Sequence, residues 1–328
     1  MTAARLKRIA TELLFAAGLA AIIWLLIRLG LRSVGHALAA IGPGGILLVT
    51  LIHLPTPILL GLAWRMLAHA EAGAQAGRFV WARLMRDTGG ELLPFSQLGG
   101  IAIGARALTL TGVRGLEAAV ASVIDTIVEQ VGKTPYSLAA VALLIWLIPG
   151  SAFVAPALAI VGVSLGLMAL LALRGDVVRA QLIKMVGRLD RAWRGLASEG
   201  PGRAEAAVAE TLSTRRRIFA SLVLHAAAWG LGAVETWVVL RLLGADVSLA
   251  EAVVIDGLYV TVRTFAFAVP AALGVQEGAY VVLGGLFGVD AATALAFSLV
   301  RRARDLLLGA PALFAWHALE RRRRRSLA

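Results

Sequence analysis

The residues of this chain with chemical potential are charges set inside long apolar runs. Asp125 and Glu129 stand four residues apart, so on a helix they share one face, and two like charges at that spacing repel unless a cation or a proton intervenes. Arg301 and Asp305, with Arg302 and Arg304 beside them, form a second set, and Asp256, Tyr259 and Arg263 form a third on one helical face. Glu277 follows Gln276 in a run otherwise uncharged from Phe265 to Val289. An acid at such a depth costs roughly 2.5–3.5 kcal/mol on insertion scales, so it is paired or functional. Asp125, Glu129, Asp256, Arg301 and Asp305 are therefore expected to form a charge network, with the carboxylates of one part of the chain meeting guanidinia of another. Asp125 and Arg301 are the favoured partners.

Two glycine-rich apolar stretches, 92–111 and 270–288, carry a further kind of signal. Each opens at a proline, and interrupted helices of this type free backbone groups for a ligand. Around the first lie Arg86, Glu91, Gln97 and Arg106; in the second lie Gln276 and Glu277. Guanidinium and amide groups suit an anionic or polyhydroxyl head group. A competing reading is that Gly100 and Gly104, spaced as GxxxG, only bring two helices close. Arg263 and Arg302 complete the expected substrate-binding set.

Other chemistries find little support. The chain has no cysteine, its five histidines are scattered without HExxH spacing, and it has no GxSxG, Walker or dinucleotide motif. No catalytic residue, metal or cofactor is expected, and neither is an intrinsic enzyme activity.

These residues must be positioned by membrane helices. Of the 328 residues 59% are hydrophobic and only 16% charged, a composition foreign to soluble domains and fitting an all-α polytopic membrane protein. The net charge of +12 comes from arginines between apolar runs, which read as topology signals and not as a nucleic-acid surface. Apolar windows long enough to cross the hydrocarbon core fall near 9–29, 42–63, 115–133, 154–173, 218–243, 252–269 and 291–316, with a shorter run at 136–149. The first window follows Arg5, Lys7 and Arg8, and lacks a cleavage site directly after it, which predicts an uncleaved helix. Eight to ten passes result, depending on whether the two glycine-rich stretches cross or re-enter. The positive-inside rule favours both termini in the cytoplasm.

Four regions follow: a membrane half over 1–173, a basic cytoplasmic segment over 174–217, a second membrane half over 218–320 and a basic tail over 321–328. In the basic segment Val178, Leu182, Val186, Leu189, Trp193 and Leu196 recur at helical spacing among arginines, predicting an interfacial amphipathic helix. The halves are linked by a weak repeat at an offset of 176 residues, the separation of Pro94 from Pro270. At this offset Gly112-Val113 meets Gly288-Val289, Ser122 meets Ser298 and Pro135 meets Pro311. Paired interrupted segments in two halves point to a binding site between repeats.

The segments LLPFSQLGGIAIGARALTLTGV (92–113), VPAALGVQEGAYVVLGGLFGVD (269–290) and SLVRRARDLLLGAP (298–311), with the Asp125/Glu129 helix, resemble the flippase-like integral membrane superfamily. That superfamily includes the transmembrane region of lysylphosphatidylglycerol synthases, and within it the resemblance is nearest to hopanoid-biosynthesis-associated proteins. The resemblance implies a bacterial inner-membrane protein whose partners are membrane lipids and lipid-biosynthesis proteins, and which moves a lipid head group between leaflets. An accessory subunit or enzyme of lipid modification is the alternative. The family often has an acid after the paired glycines, where this chain has Ile101, which would pass any such role to Glu91 or Glu277. Lysyl transfer is not expected.

Overall fold

The computed structural model describes residues 31–68, 75–92, 96–173, 175–192, 201–266 and 269–327, together with Ile23 and Ile27. The window 9–29 therefore lies almost wholly outside the described residues. Among those residues the regular structure is entirely helical, as the composition predicts. The helices are α1 (Leu31–His53), α2 (Pro55–Met66), α3 (Ala76–Leu92), α4 (Ser96–Leu110), α5 (Gly115–Leu147) and α6 (Val154–Leu173). They continue with α7 (Gly175–Ala192), α8 (Pro201–Ser213), α9 (Arg215–Leu242), α10 (Leu249–Phe265), α11 (Val275–Gly285) and α12 (Ala291–Leu327). A short 3₁₀ turn, Pro270–Ala272, precedes α11.

The repeat is structural. Shifted by 176 residues, α1 beyond its kink at Gly42 together with α2 falls on α9, α3 on α10, α4 on α11 and α5 on α12. The turn before each long helix is the same object twice. Gly112 has φ 94° and Gly288 has φ 75°, a left-handed conformation that glycine adopts without steric cost. The Val113 amide donates to the Leu108 carbonyl at 3.2 Å, and the Val289 amide to the equivalent Gly284 carbonyl at 3.0 Å. Each long helix then carries a proline, Pro135 or Pro311, without ending there.

That continuity corrects one expectation: the windows 115–133 and 136–149 are one helix of 33 residues. Pro135 removes one backbone donor, and next to it the Thr134 hydroxyl donates to the Gln130 carbonyl at 3.1 Å. Membrane helices tolerate proline where neighbouring groups satisfy the freed backbone. The first glycine-rich stretch is likewise unbroken over Ser96–Leu110, with Pro94 outside the described residues. The second stretch is interrupted as expected: Ala271 and Ala272 have positive φ, and Gly274, at φ 76°, starts α11.

The halves pack reciprocally, α2 on α9, α5 on α9 and α10, and α12 on α1 and α3. Trp64, Phe79, Met85 and Leu108 fill the first half's core. Tyr259, Tyr280, Leu283 and Phe297 fill the second half's, reached by Val141 and Leu144 of α5. Large apolar side chains face outward, with Trp146 74%, Phe219 69% and Phe314 77% exposed, a surface suited to hydrocarbon and not to water. The basic central segment forms two helices, α7 and α8. Leu182 and Val186 of α7 are buried against Val208 of α8 and Val128 of α5, so that stripe covers protein. Trp193 and Leu196 lie outside the described residues.

Candidate functional site

A cavity of about 340 Å³ lies between the two halves. Its wall takes His53 and Thr56 from the α1–α2 region, Arg83, Arg86 and Asp87 from α3, and Glu129 and Lys133 from α5. From the second half come Trp229 and Glu235 of α9, Asp256 and Arg263 of α10, and Arg301, Arg304 and Asp305 of α12. Apolar residues, among them Leu60, Val260, Leu306 and Leu313, complete it. Leu306 of α12 is 62% exposed.

The charges are held by their neighbours. Arg83 forks onto Glu129 with two hydrogen bonds of 3.0 Å, and its Nε donates to Asp87 at 2.9 Å. Arg86 bridges Asp125 at 2.5 Å and Glu129 at 2.8 Å. Glu129 thus finds the cations that its spacing from Asp125 demanded. In the second half Arg301 donates to Asp256 at 2.8 Å, and Asp256 also accepts from Thr236 and from the Tyr136 hydroxyl. Arg304 binds Glu235 and Asp305. Bidentate, charge-assisted bonds of this kind fix orientation as well as charge.

Asp125 and Arg301 do not pair with each other. Each is satisfied inside its own half, because the hairpin helix of that half, α3 or α10, brings a complementary charge to the long helix first. The contacts joining the halves around the cavity use other groups. His53 meets Glu235 at 2.6 Å, His225 meets Asp125 at 3.2 Å, and Tyr136 donates to Asp256 at 2.8 Å. His225, buried in α9, makes the interhelical hydrogen bond that satisfies a polar group within an apolar helix.

Of the expected binding residues, Arg86 and Arg263 line the cavity, while Arg106, Gln276, Glu277 and Arg302 are not among its lining residues. Arg106 reaches Glu320 of α12 with bonds of 2.9–3.1 Å. Glu277 caps α11, accepting from the Gly274 amide at 2.8 Å, and receives Arg302 at 2.5 Å. Gln276 accepts from Tyr259 and donates to Ser298, and Arg263 donates to the Tyr259 hydroxyl at 3.0 Å. The side chains of Glu91 and Gln97 lie outside the described residues. At Gly100 an added Cβ would stand 2.6 Å from the Arg86 carbonyl oxygen, which is the close approach of α3 and α4 that the GxxxG reading predicted.

Sequence reasoning missed Arg83, Lys133 and Trp229, and noted Arg304 only as a neighbour of Arg301 and Asp305. Arg83 precedes Arg86 by three residues and Lys133 follows Glu129 by four, so helical spacing placed both on the faces already singled out.

No curated protein matches the chain. Over residues 9–312 it matches the family described as Lysylphosphatidylglycerol synthase TM region, and it belongs to that family of membrane proteins of lipid metabolism.

Proposed function

We propose that this membrane protein translocates polar lipids, passing an anionic or polyol head group through the cavity between its two repeats. The carrying observation is the cavity itself, a charged chamber between the repeats whose wall also carries apolar residues, among them the exposed Leu306 of α12. A head group drawn into it exchanges water for fixed donors and acceptors while the acyl chains stay in hydrocarbon, which lowers the cost of crossing. The sequence resemblance adds a link to hopanoid or polar-lipid metabolism. The reading needs no chemistry on the substrate, since Asp125, Asp256 and Glu277 are each engaged by an arginine.

Helix lengths support a topology with both ends in the cytoplasm of a bacterial inner membrane. At 1.5 Å per residue, α3 and α4 are about 25 and 22 Å long and α10 and α11 about 25 and 16 Å, short of the roughly 30 Å core. Each hairpin then returns to its own side. With α5 as a single pass, the basic α7–α8 segment and the C-terminus fall on the side of the N-terminus, in accord with the positive-inside rule. Repeats so arranged are inverted, as in transporters that alternate access around a central site.

The test is leaflet translocation of a panel of labelled polar lipids in liposomes holding the full chain. Wild type should accelerate movement, Arg263→Ala at the cavity wall should slow it, and Glu320→Ala, away from the cavity, should leave it intact. Absence of movement by wild type across the panel would overturn the proposal.

A further inference from the structure

We infer that Lys133 and Trp229 form the seat of an oxyanion, a phosphate group of the ligand, within the inter-repeat cavity. The carboxylates around the cavity are committed: Glu129 to Arg83 and Arg86, Asp256 to Arg301, Glu235 and Asp305 to Arg304, and Asp87 to Arg83. What the wall still offers is donors. Lys133 is 9% exposed and lines the cavity, yet among the described residues it has no hydrogen bond and no ion pair. Its ammonium lies 4.8 Å from the centroid of the Trp229 ring. Trp229, also on the wall, holds its buried Nε1–H without an acceptor, and so does Thr56 its hydroxyl.

Glu129, one turn back on α5, attracts this ammonium from a distance, but the group in contact with it is an aromatic face, which supplies attraction and no acceptor oxygen, so the ammonium is incompletely satisfied. Lysine and indole are donor-only groups, so the ligand that completes them must bring acceptors, and its charge must be negative. A phosphate offers several oxygens to one ammonium and one N–H.

The repeat sharpens the assignment. At the 176-residue offset Lys133 corresponds to Gly309, and Thr264 to Thr88. Gly309 lies so close to Thr88 that an added Cβ would be 2.8 Å from its methyl carbon, which fills that crossing of the halves. At the equivalent crossing α5 carries a lysine, and all four residues, Thr88 and Gly309 as well as Lys133 and Thr264, line the cavity. At the cavity wall one crossing is thus filled by the contact of a threonine with a glycine, while its counterpart presents a cation to the chamber.

The inference rests on the translocator reading of the cavity, and equilibrium binding separates the two. The full chain in detergent micelles is titrated with phosphatidylglycerol, phosphatidylcholine and soluble glycerol phosphate, following the fluorescence that wild type has and Trp229→Phe lacks. Phosphatidylglycerol should give a saturable change, Lys133→Met should weaken it about tenfold or more, and Lys133→Arg should keep it within about threefold, since a cation is what is required. Wild-type binding by Lys133→Met, or a response to phosphatidylglycerol that never saturates, would overturn the inference; Lys133→Arg keeps the test open if the methionine variant does not fold. Competition by glycerol phosphate supports a site filled from solution, and its failure supports a lipid source. Lys133-dependent binding without leaflet movement would sink the translocator and keep the site; movement without Lys133-dependent binding would do the reverse.

Discussion

Asp125 and Arg301 occupy equivalent positions of the two long helices with opposite charge, and each is neutralised within its own half, Asp125 by Arg86 at 2.5 Å and Arg301 by Asp256 at 2.8 Å. The polarity of the design is exchanged between repeats. In the first, guanidinia stand on the hairpin helix α3 and carboxylates on the long helix α5; in the second, Asp256 stands on α10 and Arg301 on α12. Each half is therefore a self-neutralising unit at the cavity. Among the described residues the hydrogen bonds that join the units at the cavity come from two histidines and a tyrosine, which bind more weakly than paired guanidinium and carboxylate; the pair of that kind between the halves, Arg106 with Glu320, lies away from the cavity. Such a seam suits two bodies that move against each other.

Thermodynamic coupling should follow this partition. In a double-mutant cycle read by thermal unfolding, Asp125→Ala and Arg86→Ala should each destabilise by about 3–5 kcal/mol and be non-additive, because each deprives the other's buried charge of its nearest partner. The cycle for Asp125 and Arg301, which share no bond, should be additive to about 0.5 kcal/mol. Strong coupling in the second cycle would mean that the halves exchange partners.

The seam makes a separate prediction. His53→Ala removes the 2.6 Å contact with Glu235, but Arg304 still holds that carboxylate. The stability loss should be modest, about 0.5–1.5 kcal/mol, the size of a hydrogen bond with its acceptor still satisfied. Glu235→Ala, which also takes from the buried Arg304 one of its two carboxylates and leaves it Asp305 alone, should cost clearly more. Equal losses for the two variants would argue that His53 carries the contact alone.

Much of this architecture was legible in the sequence, and the reasons for the rest are physical. The Gly112-Val113 and Gly288-Val289 pairs announced the repeat because a left-handed turn before a helix restricts residue choice. Pro135 misled, since a proline reads as a break and only packing reveals that the helix continues. The site was half legible. Spacing put Asp125 and Glu129 on one face, but partner choice depends on which helix arrives alongside, and α3 supplies Arg83 and Arg86 before α12 can supply Arg301. Glu277 looked functional because a lone buried acid is costly; its cap on Gly274 and its pair with Arg302 are tertiary facts.

Asp290, on the connection between α11 and α12, offers a pH-dependent test away from the core. Burial of its carboxylate works against ionisation, but hydrogen bonds from Thr293 and Ala292 outweigh it and hold its pKa below the ordinary aspartate value. A depressed folded-state pKa contributes stability that is present above the unfolded pKa and lost as pH falls through the folded one. Asp290→Ala should cost about 0.5–2 kcal/mol at neutral pH and nothing in acid, as measured by unfolding at both conditions. A loss that persists unchanged in strong acid would show that the cap does not depend on the ionised carboxylate.

Two glycines should differ in how well they bear an added methyl. At Gly100 the new Cβ would meet the Arg86 backbone oxygen at 2.6 Å, and the Gly90 backbone lies at 3.3 Å, so relief requires parting α3 from α4. At Gly309 the obstacle is the Thr88 side chain, with its methyl at 2.8 Å and its hydroxyl at 2.9 Å, and a side chain can be trimmed. Both Gly→Ala variants should destabilise, by about 1–3 kcal/mol as overpacking does. Thr88→Ala should restore Gly309→Ala, while no single side-chain truncation should restore Gly100→Ala. Because Arg86 also holds Asp125, the Gly100 variant should in addition weaken the coupling between those two, a loss that the Gly309 variant should not produce.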